Sequence, residues 1–284
     1  MEIRNLSDIS YDCIICAFQE AFSDYAVSFS SDGIMAMFKR RGFTPQLSFG
    51  AFQDGKIVSF LFNGTGLYDG TFTAYDCGTG TIPAFRGRGL AGTLFEHAVP
   101  LLREAGMKRY LLEVLKSNTT AINIYSKAGF ETIAEYECFT GNKNMIARSN
   151  KTNKYVEIHG CVKDLLYCLS HFCDFTPSWQ NSVESIARGF DRLIMRIAMM
   201  GDKPVGYIVA DPSTGDISQI AVDPAHRRCG IATALLRDML QSIKIDTLKV
   251  LNIDRHSTPM IEFLNATGFC KGLPQYAMSK SIIC

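Results

Sequence analysis

The sequence predicts two mixed α/β domains in tandem, and three observations carry that expectation. A glycine-bearing loop, Pro83-Ala84-Phe85-Arg86-Gly87-Arg88-Gly89-Leu90-Ala91-Gly92, returns 141 positions later as Pro224-Ala225-His226-Arg227-Arg228-Cys229-Gly230-Ile231-Ala232-Thr233. The pairs Gly129-Phe130 and Gly268-Phe269 stand 139 positions apart. Each loop lies between a strand-like run and a helical one. Two landmarks at nearly one offset mean a duplicated domain of about 140 residues, not a short-period solenoid. The expected division is 1–140, a polar and aperiodic linker 141–154, and 155–284.

The elements follow in order. Glu2–Arg4 reads as a short strand. A helix through Tyr11–Tyr25 carries Ile14, Ile15, Phe18 and Phe22 at helical spacing. Ser30 or Ser31 caps a second helix that Gly42 stops. Two Asp-Gly pairs, Asp54-Gly55 and Asp69-Gly70, separate alternating runs and predict hairpins ahead of the first loop. After the loop come a helix ended at Gly106, a strand Tyr110–Leu115, a helix from Asn118 to Ala128, and a strand Phe130–Phe139. The second half repeats this scheme: helices around 161–172 and 178–187, strands 193–199, 205–210 and 217–222, the loop and its helix, strand 248–253, helix 257–266 and a last strand near Gln275–Lys280.

Bulk composition narrows the function classes. The 284 residues are 47% hydrophobic and 20% charged, with a net charge of +1. That balance gives no electrostatic drive toward nucleic acid or a membrane surface. No apolar run reaches the ~18 residues of a membrane span, and the first residues do not read as a signal peptide. Most of the 10 cysteines sit in apolar runs, the usage of a reducing compartment. A cytoplasmic protein is expected. Cys13-x-x-Cys16 lacks a second Cys/His pair at zinc spacing, so no metal is expected.

A glycine loop that opens a helix aims backbone N–H groups and the positive end of the helix dipole at one point, a receptor for a diphosphate. Gly87-x-Gly89-x-x-Gly92 also spells the dinucleotide fingerprint, with Glu113 following at about the required distance. An NAD(P)-binding oxidoreductase is therefore one reading. Against it, the loop follows antiparallel hairpins, and the second copy replaces Gly87 by Arg228 and Gly92 by Thr233. The copies share Arg-x-x-Gly-x-Ala: Arg86, Gly89 and Ala91 in one, Arg227, Gly230 and Ala232 in the other.

That shared pattern after an antiparallel meander, with Asn118 and then Ala121-Ile122-Asn123-Ile124-Tyr125-Ser126-Lys127-Ala128-Gly129-Phe130 downstream, resembles the Gcn5-related N-acetyltransferases (GNAT). The likeness covers both halves and implies two tandem GNAT-like mixed-sheet acyl-CoA N-acyltransferase domains. It implies acetyl-CoA as acyl donor and a small-molecule or peptide amine as acceptor, the amine attacking the thioester directly in a ternary complex. The implied cofactor contacts are Gly80, Thr81 and Ile82 on the strand, Arg86, Gly87, Arg88, Gly89, Leu90, Ala91 and Gly92 in the loop, and Asn118 and Asn123 beyond. In the second half they are Ala221, Val222, Arg227, Arg228, Gly230, Ile231, Ala232 and Thr233. An N–H near Ile82 would polarise the thioester and Tyr125 would protonate the departing thiolate. Glu113 is the expected base, with Asp76 or a water chain as alternatives. The acceptor would meet Phe22, Tyr25, Phe29 and Tyr136.

The halves differ where chemistry is expected. Leu264 stands at the Tyr125 position, Ser257 at Asn118, Glu262 at Asn123 and Asn252 at Glu113. Leucine donates no proton, so the N-terminal half is the favoured active domain. A non-catalytic acyl-CoA-binding or sensor protein is the alternative reading.

Overall fold

The computed structural model describes residues 1–24, 30–146 and 156–283. The chain divides into two compact units: Met1–Ala134 with Tyr276–Cys284, and Glu135–Gln275.

In the first unit, β1 (Glu2–Asn5) leads to α1 (Tyr11–Ala21), whose N-cap Ser10 accepts from the Cys13 N–H. In α2 (Ser31–Arg41) Ser30 caps the start and Gly42 closes the end at φ 76°, the left-handed conformation that lacks a Cβ penalty only in glycine. Strands β2 (Phe49–Gln53), β3 (Lys56–Tyr68) and β4 (Thr71–Thr81) form the expected antiparallel meander. Then come α3 (Leu90–Glu104), β5 (Arg109–Leu115) and α4 (Thr119–Lys127). β5 joins β4 in parallel over three pairs, from Thr73↔Arg109 to Tyr75↔Leu111. The core stacks Phe18, Phe38, Phe60 and Phe62 under α1 and α2, and Phe95, Tyr110 and Phe130 under α3.

Beyond lie β6 (Glu131–Asn142), α5 (Lys143–Ile146), β7 (Glu157–Gly160), α6 (Asp164–Leu169), α7 (Val183–Arg188), β8 (Ile194–Met200), β9 (Lys203–Ala210) and β10 (Ile217–Val222). They are followed by α8 (Ile231–Ser242), β11 (Thr247–Asp254), α9 (Thr258–Ala266), β12 (Cys270–Lys271) and β13 (Gln275–Ser281). In the second unit β7 to β10 form an antiparallel sheet in sequence order. Alternation along β9 sends Ile208 and Ala210 to the α8 side, with Leu235 and Met239, and Tyr207 and Val209 to the side of Leu166, Leu169 and Ile186.

The division departs from the expected 1–140 and 155–284. The strand expected to finish the first domain pairs instead with β11 of the second unit, from Tyr136↔Asp254 to Asn142↔Thr247. The strand expected to finish the second domain, β13, lies beside β5 of the first. The Ile282 N–H donates to the Lys108 carbonyl, Arg103 Nε donates to the Ile282 carbonyl, and Lys280 Nζ reaches the Ala128 carbonyl at the end of α4. Each half thus ends on the strand the duplication assigned to the other. Of the expected linker, 141–146 completes β6 and forms α5, and 147–154 lies outside the described residues.

Candidate active site and cofactor cleft

In each unit the glycine loop opens a helix at a residue held left-handed, Gly89 at φ 77° before α3 and Gly230 at φ 81° before α8. Neither helix has a side-chain cap, whereas α1, α2 and α4 are capped by Ser10, Ser30 and Asn118. First-turn N–H groups without a cap suit an anion. A Cβ added at Gly87, Gly89 or Gly92 would meet nothing within 4 Å, so the space in front of α3 is open. These features fit the diphosphate of an acyl-CoA donor.

The arginines that the two loops share are both engaged with their own chain. Arg86 donates through Nε to the Thr81 carbonyl, through Nη2 to the Ala21 carbonyl, and through both terminal nitrogens to Asp24, at 2.6 and 2.9 Å. Arg227 repeats this with the Val222 carbonyl, the Phe172 carbonyl and Asp174. Each arginine sews the end of its strand to the end of an N-terminal helical segment, leaving the loop's backbone amides as the anion-facing groups. The Arg86 hydrogen bond holds the Asp24 carboxyl below its ordinary pKa. Arg88 lies over the Phe85 ring and bonds the Ala84 carbonyl. Arg228 takes φ 62° at the Gly87 position and pairs with Glu262.

Other expected contacts fall differently. Gly80 is required by packing, because a Cβ there would meet the Phe60 ring at 2.4 Å. The Ile82 N–H donates to the Val58 carbonyl, so it is spent in the ladder and does not polarise a thioester. Alternation in an antiparallel pair then turns the N–H groups of Thr79 and Thr81 away from β3. Asn118 uses Oδ1 to cap α4. Asn123 is exposed on α4, on the helix side that in the second unit carries Glu262. Phe22 is half-buried, its ring tilted against Phe18 and edge-on to Phe60, and Tyr136 is buried on β6 in the second unit. Tyr25 and Phe29 lie outside the described residues.

Where β4 parts from β5, the first unit gathers ionisable groups. Tyr125 is 9% exposed and packs edge-on to Phe95. Glu113 accepts from the Tyr75 hydroxyl at 2.7 Å. A Cβ on Gly64 would sit 2.1 Å from the Arg41 carbonyl, and this close approach of α2 to β3 brings Arg41 Nη1 to the Cys77 carbonyl at 2.8 Å. Asp76 follows the last β4–β5 pair and accepts from the Gly78 N–H at 2.8 Å and the Thr79 hydroxyl at 2.7 Å. Burial pushes its pKa up to about 6, against hydrogen bonds that include one from Tyr125.

In the second unit β10 and β11 diverge around a cleft of ≈ 540 Å³. The expected residues Ala221 and Val222, and those from Arg227 through Thr233 apart from Cys229, all line it. Its lining carries the charged Asp174, Arg227, Arg228 and Glu262 and the neutral Cys173, Asn181 and Gln219. Tyr207 donates to Gln219 Oε1 at 2.7 Å and contacts the Cys173 thiol at 3.2 Å, while Gln219 Nε2 donates to the Asn181 carbonyl. Burial raises the pKa values of both Cys173 and Tyr207. Leu264 is buried, and Asn252 bonds Ser178. Sequence reasoning missed Cys173, Asn181 and Gln219: Cys173 and Gln219 stand among apolar neighbours and Asn181 in a polar run, so nothing local marks them.

A family model described as "Acetyltransferase (GNAT) family" matches residues 14–130 and again 166–269. The chain belongs to the GNAT family. It matches the N-alpha-acetyltransferase MAK3 of Arabidopsis thaliana at 36% identity over 86 residues, 30% of this chain and 45% of that protein. The aligned stretch is thus under half the length of that relative. Among solved structures, a tandem GNAT protein from the clavulanic acid biosynthesis pathway superposes with TM-score 0.75 at 16% identity, covering 99% of this chain and 98% of that one. A GCN5-related N-acetyltransferase from Sphaerobacter thermophilus superposes with TM-score 0.74 at 13% identity, over 100% of this chain and 96% of that one. At these identities the structures show the fold, here a tandem GNAT. The oxidoreductase reading is not favoured: the loop follows an antiparallel strand pair, β3–β4, not the first turn of a parallel sheet.

Among the described residues no helix is long and apolar enough to cross a membrane, and no cluster of three or more His, Cys, Asp or Glu is placed to hold a metal.

Proposed function

We propose that the protein is an acetyl-CoA-dependent N-acetyltransferase whose chemistry resides in the first unit. The carrying observation is an asymmetry. The first unit keeps Tyr125 with Asp76 and Glu113 at the parting of β4 and β5, while the second has Leu264 at the Tyr125 position and Asn252 at the Glu113 position.

Acyl transfer to an amine needs a deprotonated nitrogen, donors for the thioester oxygen, a proton for the leaving thiolate, and close placement of both reactants. The uncapped start of α3 would hold the donor's diphosphate. The outward N–H groups of Thr79 and Thr81 would meet its pantetheine arm and thioester. Tyr125 would supply the thiolate's proton, and the carboxylates Glu113 and Asp76 would serve the amine, which attacks directly in a ternary complex. The acceptor is a primary amine on a small molecule or at a peptide N-terminus. The kinship with a protein named for N-alpha-acetylation supports including peptides.

The test incubates the full chain with acetyl-CoA and, separately, a peptide with a free N-terminus, a polyamine and an amino sugar, reading acetylated product by mass spectrometry. Transfer to one of these that is lost in Tyr125→Phe is the expected result. Acetyl-CoA binding with no transfer to any of them would favour the non-catalytic reading.

A further inference from the structure

The cleft of the second unit has an exposed rim and a buried wall. The rim carries Arg228 from the loop before α8 and Glu262 from α9, whose side chains are 86% and 62% exposed. The wall includes the turn 178–181, where Ser178, Trp179 and Asn181 are buried. That turn is tied to both strands that part around the cleft. Gln219 Nε2 on β10 donates to the Asn181 carbonyl at 2.6 Å, and Asn181 Nδ2 donates to the Leu251 carbonyl on β11 at 2.9 Å. One residue further along β11, Asn252 Nδ2 donates to the Ser178 hydroxyl at 3.2 Å. Two amide side chains thus form a bar across the gap. Because a carbonyl only accepts, Asn181 fixes Gln219 with Nε2 toward itself and Oε1 toward Tyr207, which donates to it at 2.7 Å. The Tyr207 proton is then committed, so the Cys173 thiol at 3.2 Å meets that hydroxyl as the donor. Held as S–H, it offers no nucleophile. The first unit lacks the parts for this chain. Gly78 stands at the Gln219 place, and Phe60 opposite Gly80 stands where Tyr207 faces Ala221.

We infer that the second unit is a sealed acyl-CoA site, which takes the CoA thioester of a short acyl group through the exposed rim and shields it from amines. This rests on reading the α8 loop as a receptor for the donor's diphosphate. Direct transfer needs two approaches to one carbonyl carbon, one for the donor and one for the nitrogen. In this cleft the donor itself fills the approach from the rim. The approach between β10 and β11 is crossed by Gln219 and Asn181, and opening it leaves a buried amide and a buried carbonyl unmet. The same bar closes the inner end to a long acyl chain. The seal is a matter of space and is separate from the missing phenol at Leu264. The second unit therefore retains acyl-CoA without consuming it.

The test removes one donor site at a time from the full chain: Ala91→Glu leaves the second unit's site, and Ala232→Glu leaves the first unit's. Each protein is held at about ten times its own Kd over a trace of acetyl-CoA, so that about a tenth of the donor is free. Hydroxylamine is then added, which cleaves an accessible thioester to acetohydroxamate and free CoA, both read by mass spectrometry. Cleavage about tenfold slower than in buffer is expected with Ala91→Glu, and less than about twofold slower with Ala232→Glu. Gln219→Gly and Asn181→Ala, each made on Ala91→Glu, bring the rate back to within about twofold of buffer. If both bar variants fail to fold, the contrast between the two one-site proteins still decides. Equal rates in those two proteins, no acetyl-CoA bound by Ala91→Glu, or acetyl transfer by it to a peptide amine would each overturn the sealed site. A wild type that binds acetyl-CoA and acetylates no amine would instead overturn the transferase reading of the first unit and leave this one standing.

Discussion

Arg86 grips Asp24 across 62 residues with both guanidinium terminal nitrogens, at 2.6 and 2.9 Å, and Arg227 holds Asp174 in the corresponding place of the second unit. The arginine of the glycine loop is a brace between strand end and helix end in both copies. Its positive charge is already met before a phosphate arrives.

This relationship separates two roles for Arg86. If the side chain bound phosphate, removing Asp24's charge would free it and strengthen binding. As a brace, Asp24→Asn and Arg86→Ala weaken acetyl-CoA binding in the same direction, severalfold each, by loosening the loop. Isothermal titration of both variants decides it. Tighter binding by Asp24→Asn is the contrary outcome.

The number of donor sites follows from the duplicated helix starts. Acetyl-CoA titration is expected to count two sites, one per unit. Ala91→Glu or Ala232→Glu places a carboxylate at the start of α3 or α8, against the bound diphosphate, and each removes one site by weakening it about tenfold or more. Turnover is lost with Ala91→Glu. A single site in the unaltered protein would contradict the reading of both loops.

Asp76 makes stability depend on pH with a definite sign. Its folded pKa of about 6 lies above the ordinary carboxyl value of 3.8, because burial opposes ionisation. A raised value means that the folded state binds the proton more tightly. This contribution is full below about pH 4 and is lost as pH rises through 6. Asp76→Asn should therefore flatten the change in unfolding free energy between pH 4 and 7, measured by urea denaturation at a series of pH values. An unchanged slope would contradict the buried, titrating carboxyl.

The last strand belongs to the first unit, so changes at the C-terminus should be felt there. Ile282 is fully buried, and Ile282→Ala is expected to destabilise by about 2–4 kcal/mol. Hydrogen exchange should accelerate first in β5 and in α4, whose final turn is bonded by Lys280. Because α4 carries Tyr125, deleting 276–284 should also abolish transfer. Faster exchange confined to β10 and β11 would restore the boundaries expected from sequence.

Much of the fold was legible because its signals are local. Ser10, Ser30 and Asn118 cap their own helices three residues on. Asp54-Gly55 and Asp69-Gly70 take positive φ at both turn positions, as two-residue hairpins require. The twin left-handed residues Gly89 and Gly230 are likewise written into ten-residue stretches. The site was legible to the extent that it is made of backbone, in the loops and helix starts. It was not legible where side chains choose among distant partners, as Arg86 meets Asp24 62 residues away, or as the Ile82 N–H meets the Val58 carbonyl.

The sequence by itself therefore determined the duplication, the element order, the anion-ready loops and the loss of a phenol at Leu264. Those depend on residue identity and short-range backbone geometry. Only the tertiary structure decided that β13 pairs in the first unit while β6 pairs in the second, and that Asp76 meets Tyr125. Strand edges of similar composition satisfy the same backbone hydrogen bonds, so their choice is set by packing of the whole unit. A buried carboxylate takes whichever donor that packing brings within reach.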